Sequence, residues 1–229
     1  MSDYLLINIL VISVPLLLSF ENKIKFYRKI PFIFISFLVA GGAFIFWDAV
    51  AASRGNWSFN PAYINGIEIV GLPIEELLFF VTIPYSCIFL YETARYYLIE
   101  KEIKINRFVI YFVSFVLITI ALVNSDREYT FLAFFISGIF LITVQIFASY
   151  IYASKIFWLF ILFSFIPFLA VNYLLTSFPI VIYNPVAFLG FRIITIPIED
   201  FFYSFTMISF YLLIYLTSER IWIKRKKSV

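Results

Sequence analysis

Long apolar runs separated by short polar segments make up most of the chain. A hydrocarbon core about 30 Å thick requires roughly 20 apolar residues in a spanning helix, and seven runs approach that length. They predict helices at residues 4–20, 30–52, 74–98, 108–123, 129–152, 156–175 and 198–217. No positive residue precedes the first run and no small-residue cleavage pattern follows it, so we expect a retained helix and not a removed signal segment.

The composition is that of an integral membrane protein and disfavours several kinds of site. Of 229 residues, 63% are hydrophobic and 14% are charged, which is too apolar for a soluble domain. His is absent and Cys87 is the single cysteine, so disulfides, zinc sites, iron–sulfur clusters and His-ligated haem are not expected. The glycines show no nucleotide-binding spacing, so we expect neither a cofactor nor a metal.

Lys and Arg residues predict the orientation of the chain in the membrane. Fourteen lie in alternate loops and the C-terminal tail, whereas Arg54, Arg127 and Arg192 lie on the other side. Cytoplasmic loops carry an excess of these residues, so we predict a cytoplasmic C-terminus and an N-terminus outside. The basic segment 224–227 is interpreted as an anchor of this topology, and no nucleic-acid partner is expected.

One stretch of sequence recurs 124 residues later without a gap, and Asp48 falls on Asn172 at the same offset. The shared positions are Asn60 and Asn184, Pro61 and Pro185, Gly66 and Gly190, Pro73-Ile74-Glu75-Glu76 and Pro197-Ile198-Glu199-Asp200, and Thr82 and Thr206. We therefore predict an all-α membrane protein of seven transmembrane helices. Two parallel three-helix repeats, residues 1–100 and 125–229, are joined by a connector helix at 101–124.

The two loops that carry the repeat, residues 53–72 and 176–196, are predicted to be extracytoplasmic. Both are rich in Ile, Val, Phe and Tyr, which is unusual for freely solvated linkers. Irregular backbone at membrane depth is stable only where protein or cavity water satisfies it. We therefore expect re-entrant or surface-lying segments that cap the bundle.

Two acidic residues begin a helix in each copy of the repeat. Proline and acids at a helix start stabilise the helix, but two copies that lead directly into apolar helices favour a functional role. Neighbouring residues on a helix point about 100° apart, so one acid of each pair faces a shared interior. Hydroxyl-bearing stripes continue from Glu75 and Glu199, which predicts that these two face it. Glu76 and Asp200 are then helix-end or supporting carboxylates.

Other residues near these acids are candidates for the same pocket. A helix cap explains either Asp48 or Asn172 alone, yet their equivalence in the repeat favours a shared pocket. Any one aromatic ring is explained by packing or by the membrane interface, but several ring faces together can stabilise a carbocation. The remaining candidate substrate-binding residues are Trp47, Phe79, Tyr203, Asn60 and Asn184.

The doubled acidic signature resembles that of the flavin-free lycopene beta-cyclases, which occur as two small membrane subunits or as one fused chain. The resemblance lies in Pro-Ile-Glu-Glu followed by residues 77–80, in Pro-Ile-Glu-Asp followed by residues 201–205, and in the Asn-Pro and Gly spacing before each. It implies non-redox cyclisation of lycopene to gamma- and then beta-carotene without a cofactor. The four acids fall on the family's acidic positions, and the resemblance does not say which is acid and which is base.

Two alternative functions stay open. A proton-coupled transporter also places intramembrane acids at a pseudo-twofold interface, although it needs an aqueous path to both sides. A cyclase of another isoprenoid is the second. A rhodopsin is excluded because no Lys lies between Lys155 and Lys224. We expect two partners, lycopene or a similar polyene and the lipid bilayer. The predicted location is the inner membrane of a prokaryotic cell. The sequence does not give the oligomeric state.

Overall fold

The computed structural model describes residues 1–227, so the last two residues of the predicted tail lie outside the described residues. The helices are α1 (Asp3–Leu18), α2 (Ile30–Ser36), α3 (Gly42–Ser53), α4 (Ile74–Tyr97), α5 (Arg107–Val123), α6 (Glu128–Phe147), α7 (Lys155–Ser177) and α8 (Ile198–Lys227). A 3₁₀ turn at Phe26–Lys29 leads into α2, and a π-helical turn at Phe37–Gly41 joins α2 to α3, so the whole forms one helical segment, Phe26–Ser53.

Most of the chain is apolar helix, as expected for a membrane protein. Within the described residues, five helical segments are long and apolar enough to cross a membrane. They are Phe26–Ser53, Ile74–Tyr97, Glu128–Phe147, Lys155–Ser177 and Ile198–Lys226. The helices Asp3–Leu18 and Arg107–Val123 are also apolar but shorter.

The predicted helix starts agree with the structure more closely than two of the predicted ends. The helix predicted at 129–152 ends at Phe147, and the chain turns before α7 begins at Lys155. The helix predicted at 198–217 instead continues to Lys227. Lys, Arg and Glu are good helix formers, so the end of the apolar run does not mark the end of α8.

The loops before α4 and α8 contain short strands, which the all-α prediction missed. Strand β1 (Trp57–Phe59) pairs antiparallel with β4 (Val181–Tyr183). Hairpins form between β2 (Glu68–Ile69) and β3 (Leu72–Pro73) and between β5 (Arg192–Ile193) and β6 (Ile196–Pro197). Each strand in the first loop has a counterpart 124 residues later. The strand pairs satisfy backbone groups at the end of the bundle, and each hairpin leads directly into an acid-bearing helix.

Helices α4 and α8 lie at the centre of the bundle. Helices α1 and α7 pack on α4, and α2 and α6 pack on α8. Helix α5 packs on α6, where a Cβ at Gly138 would lie 2.7 Å from the Ile118 side chain. Small residues of this kind let membrane helices approach closely. The central pair therefore places the starts of α4 and α8 inside the bundle.

A cluster of two buried carboxylates and two partly exposed cations ties the helices together at the end opposite the strands. Glu92 on α4 and Glu219 on α8 are 7% and 6% exposed. Lys29 bonds to Glu219 and lies 3.8 Å from Glu92, and Arg95 contacts the same two carboxylates at 2.8 and 3.1 Å. Buried carboxylates require such partners. The cluster therefore fixes the start of α2 against the ends of α4 and α8.

Candidate active site

A cavity of about 350 Å³ lies among α1, α4, α7 and α8, next to the paired strands β1 and β4. Most of its wall is aliphatic and aromatic. The titratable side chains in the wall, apart from Cys87, are Tyr4, Asp48, Glu76, Tyr129, Tyr183, Asp200 and Tyr203. An apolar pocket with a few convergent polar groups is typical of a small-molecule site.

The carboxyl groups of Glu76 and Asp200 are held in this wall by tyrosine hydroxyls. Tyr4 donates a hydrogen bond to Glu76 Oε2 at 2.5 Å. Tyr129 and Tyr183 donate to the two oxygens of Asp200 at 2.5 and 2.9 Å. Glu76 is 8% exposed and Asp200 is 3% exposed. The two acids are therefore fixed in apolar surroundings, where proton transfer to a bound molecule is feasible.

Glu75 and Glu199 do not line the cavity, so the predicted orientation of these two acids is wrong. Glu75 Oε1 accepts hydrogen bonds at 2.7 Å from the Ser2 hydroxyl and from the Asn65 N–H. Glu199 Oε1 is bound in the same way, by one hydroxyl and one loop N–H, at 2.6 and 2.8 Å. These carboxylates fasten the preceding loop and a neighbouring helix to the starts of α4 and α8.

Two threonines of the hydroxyl-bearing stripes contact neighbouring helices, whereas Ser86 of the first stripe and Tyr203 of the second line the cavity. Thr82 donates a hydrogen bond to Asn8 on α1 at 2.6 Å. Thr206 and Ser137 on α6 share a hydrogen bond of 2.8 Å. The cavity borders the more apolar stripe that begins at Glu76. This stripe lies about 100° around the helix from the stripe that begins at Glu75. Thr82 and Thr206 therefore mark where helices pack, and Glu76 and Asp200 mark the start of the helix faces that border the pocket.

Asp48 and Asn172 both line the cavity, from α3 and α7. Asp48 is 4% exposed, and its Oδ2 has no hydrogen-bond partner among the described residues. Its carboxyl group lies close enough to Glu76 to interact with it electrostatically. The Asn172 amide donates to the Phe168 carbonyl at 3.1 Å. An ionisable carboxyl group is thus present at one of the two equivalent positions and not at the other.

Aromatic rings surround the acids, although not every predicted ring reaches the wall. Phe79 and Tyr203 line the cavity, as does Trp57, which packs on Tyr129 with ring centroids 5.0 Å apart. Trp47 is not part of the wall and packs behind Tyr203 at 4.8 Å. Ring faces beside the acids can attract a cation that forms in the cavity.

Asn60 and Asn184, which were predicted to bind substrate, do not line the cavity. Asn60 Oδ1 accepts a hydrogen bond from the Ala62 N–H at 3.1 Å. Asn184 Oδ1 likewise accepts a hydrogen bond from the Val186 N–H at 3.2 Å, and the Asn184 amide also donates to the Gly55 carbonyl at 2.9 Å. Asn side chains commonly bond to nearby backbone in turns, so their recurrence reflects a shared loop conformation.

Three tyrosines at the site were not predicted. Tyr4 and Tyr129 lie in the first turns of α1 and α6, but they are 125 residues apart and fall outside the gapless frame. Tyr183 falls on Phe59, so the repeat gave no signal for it. Burial and the nearby Asp200 raise the pKa of Tyr183 well above its ordinary value, so its hydroxyl remains a hydrogen-bond donor.

Comparison with known proteins gave one family. The lycopene cyclase family model matches residues 2–94 and 126–217 of this chain, which confirms the resemblance found in the doubled acidic signature. The matched segments contain Glu76, Asp200 and all three tyrosines that bond to them. Searches of curated proteins and of solved structures gave no match. Within residues 1–227, no group of three or more His, Cys, Asp or Glu side chains is arranged to hold a metal ion.

Proposed function

This chain belongs to the lycopene cyclase family, and we propose that it cyclises the ends of lycopene to beta-ionone rings, giving gamma-carotene and then beta-carotene. One observation carries the proposal beyond the family match. Two carboxyl groups, each bonded to tyrosine, line a single apolar cavity between membrane helices. The protein then acts on a polyene that reaches it through the bilayer.

The reaction needs one proton donor and one proton acceptor. A carboxylic acid protonates the terminal double bond of the polyene and leaves a tertiary cation. An internal double bond attacks that cation and closes the ring, which moves the positive charge to a ring carbon. A carboxylate then removes a ring proton and forms the ring double bond. No electrons are gained or lost, so the reaction is an isomerisation by general acid–base catalysis.

The size and lining of the cavity support this chemistry. Ligand pockets commonly measure roughly 300–1,000 Å³, so a cavity of about 350 Å³ accommodates one end of a long polyene. Phe79, Tyr203 and Trp57 present ring faces that stabilise a cation. The apolar wall limits the access of water, which would otherwise capture the cation. We propose that the two ends of lycopene are processed one after the other.

The first expected result concerns turnover by the purified protein. Lycopene in lipid vesicles with the protein and no added cofactor should yield gamma-carotene and beta-carotene, separated by chromatography, because cyclisation is redox-neutral. A Glu76→Gln/Asp200→Asn double variant at equal abundance is the control. Strict dependence on reduced flavin, or cyclisation only of a different polyene, would contradict the proposal. Proton uptake into the vesicles without a cyclised product would favour the transporter.

We also propose the membrane arrangement that the sequence predicts. Seven helices span the membrane as repeats at 1–100 and 125–229 with a connector at 101–124. The N-terminus lies outside the inner membrane of a prokaryotic cell and the C-terminus in the cytoplasm. The excess of Lys and Arg in alternate loops supports this orientation.

Cysteine labelling tests that orientation. Glu68 in hairpin β2–β3 and Lys104 before α5 are both exposed, whereas the native Cys87 is buried and gives a low background. Glu68→Cys should react with an impermeant maleimide in intact cells, because its loop is extracytoplasmic. Lys104→Cys should react only after lysis. The reverse pattern would invert the topology.

A further inference from the structure

The two acids in the cavity wall differ in their hydrogen-bond partners. Asp200 receives hydrogen bonds from Tyr129 at 2.5 Å and from Tyr183 at 2.9 Å, one on each oxygen. Hydrogen bonds donated to a carboxylate stabilise its charged form. Two such donors, one on each oxygen, also fix the orientation of the carboxylate. Asp200 is therefore equipped to be an anion that accepts a proton.

Glu76 has a different environment. Within residues 1–227 its carboxyl group receives one side-chain hydrogen bond, from Tyr4. The position equivalent to Tyr183 in the repeat is Phe59, which lines the cavity but carries no hydroxyl. A second acid, Asp48, lies close by and has an unpartnered, buried oxygen. Glu76 thus has one donor fewer than Asp200, and a second carboxyl group from its own half of the chain, Asp48, lines the cavity beside it.

A neighbouring carboxyl group changes what Glu76 can do. Two carboxyl groups that interact in apolar surroundings cannot both ionise at low cost, so the pair retains a proton. The position equivalent to Asp48 is Asn172, whose amide cannot ionise. Asp200 interacts with Glu199, but that carboxyl group lies outside the cavity, so the wall contributed by the second half contains no second carboxyl group. Both differences, Asp48 against Asn172 and Phe59 against Tyr183, favour the same division of roles.

We propose that the Asp48–Glu76 pair donates the proton that starts cyclisation and that Asp200 accepts the proton that ends it. This assignment rests on the proposed cyclase function. A proton leaves the pair and forms a C–H bond at the terminal double bond, the ring closes, and a ring C–H bond breaks as its proton passes to Asp200. One proton is donated and one accepted per ring, so return of a proton from Asp200 to the pair restores the enzyme.

Variants that copy the residue of the other half test the assignment. In deuterated water, Asp48→Asn should slow cyclisation at least 10-fold with an unchanged pattern of products, because only proton donation is impaired. Asp48→Glu keeps a carboxyl group and should retain most of the rate. Phe59→Tyr gives Glu76 a second donor and should also slow cyclisation without changing the products.

Tyr183→Phe should act on the products instead. A poorly held Asp200 removes the ring proton less selectively, so several-fold more product should carry the ring double bond at a neighbouring carbon or a hydroxyl group from water. Each ring that forms should still gain one deuterium from the deuterated water, because proton donation is unchanged. Tyr173→Phe, at a residue that is 45% exposed, and Glu68→Gln serve as matched controls at equal membrane abundance.

The outcomes separate the two proposals. The assignment would be overturned if Asp48→Asn changed the products while Tyr183→Phe only slowed cyclisation, because the roles of the acids would then be reversed. Equal slowing by both variants with unchanged products would overturn it as well. If the wild-type protein forms no ring from lycopene, the proposed function itself fails, and the assignment fails with it.

Discussion

Replacing Glu76 with Gln, or Asp200 with Asn, is expected to lower the rate of lycopene cyclisation by a factor of about 10² to 10⁴. Each amide has the size of the native side chain and still accepts a tyrosine hydrogen bond, but it neither donates nor accepts the reacting proton. The measurement is conversion of lycopene in membranes that contain equal amounts of each variant.

The neighbouring acids provide the matched comparison. Glu75 and Glu199 bond to a hydroxyl and a loop N–H, and such bonds to a charged group contribute about 1.5–3 kcal/mol. Glu75→Gln and Glu199→Gln should therefore reduce thermal stability more than turnover per folded molecule. If these two variants lost more turnover than those at Glu76 and Asp200, the cavity would not be the catalytic site.

Ser204→Phe is expected to reduce cyclisation by about 10²-fold or more, since a displacement of about 1 Å from the reacting group can cost that much. Ser204 is buried in the cavity wall, and its equivalent in the first half is Phe80. A phenyl ring at position 204 would occupy space that the polyene end needs. Phe80 occupies the equivalent position in α4, which indicates that a phenyl ring is tolerated at this position of the helix.

Conversion of lycopene and thermal unfolding should be measured together for Ser204→Phe and Ser204→Ala. The alanine variant removes only a hydroxyl and should remain active. Overpacking typically costs about 1–3 kcal/mol, so a moderate loss of stability is compatible with the expectation. Full activity of Ser204→Phe would mean that the polyene end binds elsewhere.

Hydropathy predicted the helices because lipid-facing segments must be apolar over a fixed length. It did not predict the end of α8, where helix-forming charged residues continue past the apolar run. The strands before α4 and α8 were missed because two- and three-residue ladders leave little pattern in a sequence. The abundance of Ile, Val, Phe and Tyr in those loops predicted only re-entrant or surface-lying segments that cap the bundle.

The acid pairs were identified because they recur in the two halves of the sequence, but the orientation of the acids was predicted wrongly. The prediction took hydroxyls as a sign of the functional interior, whereas Thr82 and Thr206 bond to neighbouring helices. A pocket for a hydrocarbon is lined by apolar residues, so polarity was the wrong guide to its position. Tyr4 and Tyr129 were missed because one extra residue shifts them out of the gapless frame.

The ladder between β1 and β4 is symmetric in itself. Its central pair, Ser58 with Ile182, joins equivalent positions, and its flanking pairs are Trp57 with Tyr183 and Phe59 with Val181. Two identical half-length chains would form the same ladder about a twofold axis, but a homodimer has the same residues in both halves. Covalent fusion after duplication removes that constraint. A single polypeptide can therefore hold Phe59 in one strand and Tyr183 in the other, and the two halves are free to diverge.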